Sequence, residues 1–245
     1  MSLTDKLCGS PDLRKEDQKL CCEFASYFQD IIADLDRKGY LRSDLRIEQQ
    51  DKERIRFMDV LLNTRKVTKA FNMFFDMYVD RIKPDSKQRL RRFLELNKPY
   101  GLTEEDLVYL LFSEMIFVFL QNAEEFRSAF LMILNIPVRY SVDKARKIVN
   151  SKTTLGGLLR SLIDMKIDKA DKLDVIDYKL RNGLSHGLFW FDSRPDEHDS
   201  LPHLHYSEDM SFKKIGCINL ASLYSKMRNQ SIYTNCLLNV IGDWF

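Results

Sequence analysis

Arg181, Asn182 and His186 are the residues of this chain best suited to chemistry. They stand in the run Arg181-Asn182-Gly183-Leu184-Ser185-His186. Arginine is a permanent cation whose planar fork matches phosphate oxygens. Histidine is the side chain most easily made to move a proton near neutral pH. A polar amide straight after the arginine can orient a phosphate or its partners. Together the three point to phosphodiester chemistry that needs no metal. The arginine–histidine pair alone carries little weight. With 18 Arg and 4 His in 245 residues, such a pair arises by chance roughly one time in three, and requiring Asn directly after the Arg lowers this to about one in a hundred.

Helix geometry sets a condition on the pair. Residues five apart on an unbroken helix are rotated by about 500°, or roughly 140° after one full turn. Arg181 and His186 then point to different sides. Gly183 offers a place for the helix to end, with His186 brought back by the following turn, and a second subunit completing the cleft is the other way to join them. Structural readings compete at every position. Arg181 lies four residues after Asp177 and suits an ordinary helix ion pair. Asn182-Gly183 suits a helix stop, and a histidine at a helix end suits a cap or a surface position.

The elements that must position these residues read mostly as helix. Leu20 to Leu35 places Phe24, Tyr27, Phe28, Ile31, Ile32 and Leu35 on one face, and Gly39 ends that helix. Ile55 to Tyr78 is rich in Phe, Met and Leu at helical spacing. Pro84 closes it, and Asp85-Ser86 is placed to cap a helix over Lys87 to Leu96. Lys98-Pro99-Tyr100-Gly101 is the best boundary between two halves, giving an N-terminal helical region at 1–100 and a helical domain at 101–245. Thr103 with Glu104, Glu105 and Asp106 predicts a helix start, with the helix running to about Leu134 and stopping before Pro137. Ser141 to Val149 reads as a short helix, and Thr153 or Thr154 caps another over Leu155 to Met165. Asp168 or Asp171 opens the helix that carries the motif, with Leu173, Ile176 and Leu180 on one face. Gly187 to Asp192, Leu204 to Tyr206 and Phe212 to Ile218 are strand-like and suggest a hairpin. Asn219 or Ser222 opens a last helix toward Leu238. The fold class is therefore all-α, a helical bundle with a small β-hairpin near the C-terminus.

Composition narrows the function classes. Hydrophobic residues make up 44% and charged residues 30%, and 9 Gly and 6 Pro leave little for long linkers. The net charge of +2 supplies no global field toward nucleic acid. Between Arg37 and Lys98, however, 17 Lys plus Arg face 9 Asp plus Glu, a local +8, so the remainder carries 2 − 8 = −6. Lys87, Arg89, Arg91 and Arg92 form the densest cluster, a candidate RNA-binding face; a solvated helical surface is the plain alternative. Five cysteines, odd in number and without a CxxC pair, argue for a reducing, cytoplasmic compartment rather than a disulfide framework or a zinc knuckle. Leu107 to Leu120 is the most apolar stretch; at 14 residues and with Glu114 inside, it reads as a buried core helix rather than a membrane span. Glu114 suits either a satisfied buried acid or a partner for Arg181. No Gly-rich phosphate loop is present. His198, His203 and His205 share a polar loop with Asp196, Glu197 and Asp199, and His203-x-His205 on a strand turns both rings to one face, as metal ligands can. No other zinc signature supports a metal, and an exposed loop is the favoured reading.

Leu180-Arg181-Asn182-Gly183-Leu184-Ser185-His186-Gly187, with Thr154-Leu155-Gly156 upstream and an aromatic strand downstream, resembles the HEPN (higher eukaryotes and prokaryotes nucleotide-binding) superfamily. Members are helical bundles defined by an Arg, usually a polar residue, and a His after four to six intervening residues. The resemblance covers about Thr103 to Trp244. It implies a metal-independent endoribonuclease without cofactor. His186 is then the general acid or base, Arg181 the phosphate-binding cation and Asn182 the orienting amide. It also implies a homodimer in which two motifs face across a twofold. Members serve in toxin–antitoxin, antiviral defence and RNA-processing systems, so an antitoxin or other protein partner is expected beside RNA, and no membrane. Other members are catalytically silent modules that bind RNA, nucleotide or protein, which is the alternative expectation. A metal-dependent hydrolase built on the histidine loop is a third and weaker one.

Overall fold

The computed structural model describes residues 2–9, 15–42, 84–134, 137–138, 147–148, 153–192 and 201–244. Helices take 72% of the described residues, which sets the class as mostly helical. In chain order they are α1 (Leu3–Cys8), α2 (Lys15–Arg37), α3 (Pro84–Asn97), α4 (Glu104–Ile133), α5 (Leu155–Asp164), α6 (Tyr178–Ser185) and α7 (Leu220–Trp244). Strands β1 (Pro137–Val138) and β2 (Lys147–Ile148) form a short antiparallel pair. Strands β3 (Phe189–Asp192), β4 (His203–Ser207) and β5 (Ile215–Asn219) form an antiparallel sheet in that order.

Local chemistry explains most boundaries. At the start of α4 the Thr103 hydroxyl accepts from the Asp106 amide at 3.1 Å, while the Asp106 carboxylate accepts from the Thr103 amide at 2.8 Å. This reciprocal pair satisfies donors that a helix start leaves open. Thr154 caps α5 by accepting from the Gly157 amide at 3.1 Å, and Asn219 accepts from the Ser222 amide at 2.8 Å at the start of α7. Gly39 takes φ +71 just beyond α2 and Gly101 φ +72 beyond the 3-10 turn Lys98–Tyr100.

The chain packs as two compact units, each discontinuous in sequence. The first comprises residues 1–59, 121–178 and 229–245, the second residues 60–120 and 179–228. The Lys98–Gly101 turn lies inside the second unit, and α4 and α7 each contribute residues to both cores. In the first unit Phe28 and Ile32 of α2 pack with Phe126 and Phe130 of α4, Leu158 of α5 and Leu237 of α7. In the second, Leu90 of α3 packs with Phe112 and Met115 of α4, Leu180 and Leu184 of α6, Leu204 of β4 and Leu223 of α7.

Several expectations are corrected. Lys147 and Ile148, expected within a helix over Ser141 to Val149, instead form β2, pairing with Val138 and Pro137; the rest of that span lies outside the described residues. Helix α3 begins at Pro84, so Asp85 falls in its first turn rather than at its cap; proline suits a first turn, whose amide needs no partner. The motif helix does not begin at Asp168 or Asp171. A 3-10 turn spans Ala170–Val175 and α6 starts at Tyr178. Leu173 and Ile176 belong to the first core and Leu180 to the second, so they do not share one helical face. The apolar stretch Leu107 to Leu120 lies within α4, which turns polar at Gln121, Asn122, Glu124 and Glu125. By length and composition α4 is long enough to cross a membrane, yet half of its most apolar window is buried inside the protein, as in a core helix. The expected Ile55–Tyr78 helix lies outside the described residues.

Candidate functional site

Helix α6 sorts the motif by its sides. Leu180, Gly183 and Leu184 are buried, Arg181 and Asn182 half-buried, and Ser185 and His186 exposed. The two leucines anchor the helix in the second core and present the polar residues outward.

The helix does not yield at Gly183. It runs through to Ser185, and the His186 amide still donates to the Asn182 carbonyl at 3.1 Å, the ordinary helical bond. The stop comes later. Gly187 takes φ +67, its amide donates to Leu184 O at 3.2 Å, and the Leu188 amide donates to Gly183 O at 2.9 Å. This six-to-one and five-to-two pairing is a Schellman motif with the left-handed residue at Gly187, and it sets His186 as the last residue before the turn. The Asn182 carbonyl also accepts from the Ser185 hydroxyl at 3.1 Å. Gly183 serves packing instead of termination. A Cβ there would meet Tyr206 Cβ at 3.2 Å, so the absence of a side chain lets α6 lie against β4.

Arg181 and Asn182 are brought together. The arginine Nη1 donates to the Asn182 side-chain oxygen at 3.3 Å, a long bond that orients both groups. His186 is joined to them through backbone alone. On continuous helix its side chain leaves the axis about 140° from that of Arg181. The upstream Thr154-Leu155-Gly156 run connects to the start of the same helix: a Cβ on Gly156 would sit 3.2 Å from the ring of Tyr178, the first residue of α6.

The basic cluster lies on α3 in the same unit. Lys87, Arg89, Arg91 and Arg92 are all exposed, while Leu90, Phe93 and Leu94 turn to the core. Arg89 Nε makes one long bond to the Asp85 carbonyl at 3.4 Å.

The sheet that follows the motif adds an aromatic surface. Along β4, Leu204 turns to the core while half-buried His203 and His205 alternate with it. In register with His205 stands Trp190 of β3. The two rings stack with centroids 5.1 Å apart and planes 11° off parallel, and Trp190 keeps 43% of its surface exposed. The two imidazoles lie 6.5 Å apart by centroid, on one face as the spacing predicts. Among the described residues no group of three His, Cys, Asp or Glu is arranged to hold a metal; His198 lies outside them. Glu114 is half-buried on α4. The alternation of strand residues signals which face is open, but the cross-strand register that brings Trp190 onto His205 is not written in either segment alone.

No protein-family model, curated protein or solved structure matches this chain.

Proposed function

We propose that this protein is a metal-independent endoribonuclease of HEPN type, acting as a homodimer in the cytoplasm and away from membranes. The observation that carries the reading is the presentation of the motif. Arg181 and Asn182 are hydrogen-bonded neighbours on the outer side of α6, and His186 stands exposed at its end.

In this reaction His186 takes the proton of a ribose 2′-hydroxyl as the 2′-oxygen attacks the adjacent phosphorus. Arg181 neutralises the charge that builds on the non-bridging oxygens, and Asn182 orients the guanidinium and the phosphate. The bond from phosphorus to the 5′-oxygen breaks, and that oxygen leaves with a proton supplied by an acid. The products are a 2′,3′-cyclic phosphate and a 5′-hydroxyl. DNA lacks the attacking hydroxyl and resists. The unbroken helix supports the dimer. Arg181 and His186 diverge on one α6, whereas two motifs facing across a twofold supply both acid and base to one cleft. The exposed cations of α3 attract the polyanion, and the open Trp190–His205 stack suits an unpaired base.

The same divergence favours a second reading, a catalytically silent HEPN-like module that binds RNA, nucleotide or a protein partner. Purified protein is incubated in EDTA with a single-stranded RNA and with the DNA of the same sequence, and binding is measured in parallel. RNA cleavage with intact DNA supports the nuclease. RNA bound but uncut by the dimer supports the silent module.

A further inference from the structure

Three of the five cysteines meet inside the first unit. Cys8 ends α1, Cys21 lies in α2 and Cys236 in α7. The Sγ atoms of Cys8 and Cys21 are 3.2 Å apart, and Cys236 Sγ lies 3.3 Å from Cys21 Sγ. All are free thiols; Cys21 and Cys236 are buried, and Cys8 is half-buried. A single buried cysteine behaves as a small hydrophobe. Here the outermost thiol reaches the surface and touches a second, thirteen residues away in sequence and on another helix. The two sulfurs are in contact at 3.2 Å, and a disulfide brings such a pair to about 2.05 Å.

We propose that Cys8 and Cys21 are an oxidation site, at which a hydroperoxide reacts with Cys8 and Cys21 resolves the product as an intramolecular disulfide. The Cys8 thiolate attacks one peroxide oxygen, the O–O bond breaks, and the other oxygen takes a proton and leaves as water from hydrogen peroxide or as an alcohol from an organic hydroperoxide. Cys8 becomes a sulfenic acid, oxidised by two electrons as the peroxide is reduced. The Cys21 sulfur then attacks the Cys8 sulfur. The S–S bond forms, the S–O bond breaks, and the hydroxyl leaves as water with the Cys21 proton. Burial, followed by hydrogen bonding to Cys21, pushes the Cys8 thiol up. Hydrogen bonding to Cys236, followed by burial, does the same to Cys21.

The consequence falls on α1. A six-residue helix is too short to persist by itself. It is held by its capping box at Ser2 and Asp5 and by the Thr4 amide donating to Asp243 at 3.0 Å. A bond from its last residue to α2 fixes it in place.

The test uses the full chain carrying Cys22→Ser, so that the neighbouring exposed thiol cannot be mistaken for Cys21. The protein is treated with hydrogen peroxide, denatured, alkylated and digested, and linked peptides are mapped by mass spectrometry. The expected result is a Cys8–Cys21 linked pair, lost when Cys8→Ser is added, with a rise in Tm of several degrees that a reductant reverses. Exposed Cys217 reports that oxidant reached the protein. Oxidised Cys217 beside Cys8 and Cys21 both alkylated as free thiols overturns the proposal. The mapping of the Cys22→Ser protein decides the matter even where the second variant fails to fold.

Discussion

A Cβ placed on Gly183 would stand 2.7 Å from the backbone carbonyl oxygen of Ser207. The obstacle is main chain and cannot swing aside, so α6 and β4 approach as closely as they do only because residue 183 has no side chain. The motif therefore depends on a strand far away in sequence. Gly183→Ala should destabilise the fold by about 1–3 kcal/mol, as overpacking does, and should also lower any activity of Arg181 and His186 by displacing their helix. Denaturant unfolding of the variant against wild type measures this; an unchanged midpoint would mean that α6 does not press on β4.

Acid stability is expected to depend on Asp34. Its carboxylate, 3% exposed, accepts from Lys38 Nζ at 2.8 Å, from Arg37 and from the Asp168 amide at 3.0 Å. Hydrogen bonding to Lys38 and then to Arg37 holds its carboxyl well below the usual carboxylate range. The folded state thus binds this proton less readily than the unfolded chain. The stabilisation is complete above the unfolded value of about 3.9 and is lost as pH falls through that value toward the lower folded one. Thermal melts between pH 7 and pH 2 should show a steeper acid limb for wild type than for Asp34→Asn. Parallel limbs would remove Asp34 from the acid response.

Charge reversal across the exposed face of α3, at Lys87, Arg89, Arg91 and Arg92, should weaken RNA binding and flatten its salt dependence. Each lost phosphate contact on a single strand lowers the slope of log K against log salt by about 0.7. Binding titrations from low to moderate salt report both quantities. A slope equal to that of wild type would exclude α3 from the binding surface.

Much of this arrangement was legible in the sequence, and the parts that were not share a cause. The Thr103 and Thr154 caps, the Gly39 stop and the α2 core face follow from contacts within one or two turns, which sequence spacing encodes. A glycine after an asparagine suits a helix stop, and local spacing offers Gly183 for that role. Its actual role comes from Ser207, which no local pattern reveals. Gly187, four residues on, supplies the stop instead. The Cys8–Cys21–Cys236 contacts and the Trp190–His205 stack were hidden for the same reason: each joins segments whose pairing depends on the finished fold. Leu173, Ile176 and Leu180 have helical spacing, but the 3-10 turn over Ala170–Val175 interrupts the helix and sends them to different cores.

The most direct measurement of the central claim is the 3′-end chemistry of RNA incubated with the purified protein in EDTA, for wild type and for His186→Ala. The proposed mechanism predicts 2′,3′-cyclic phosphate ends from wild type, undiminished by EDTA, and a loss of at least about a hundredfold in rate for the variant, the lower end of what a positioned acid–base group contributes. Equal rates from wild type and His186→Ala, or cleavage abolished by EDTA, would contradict it.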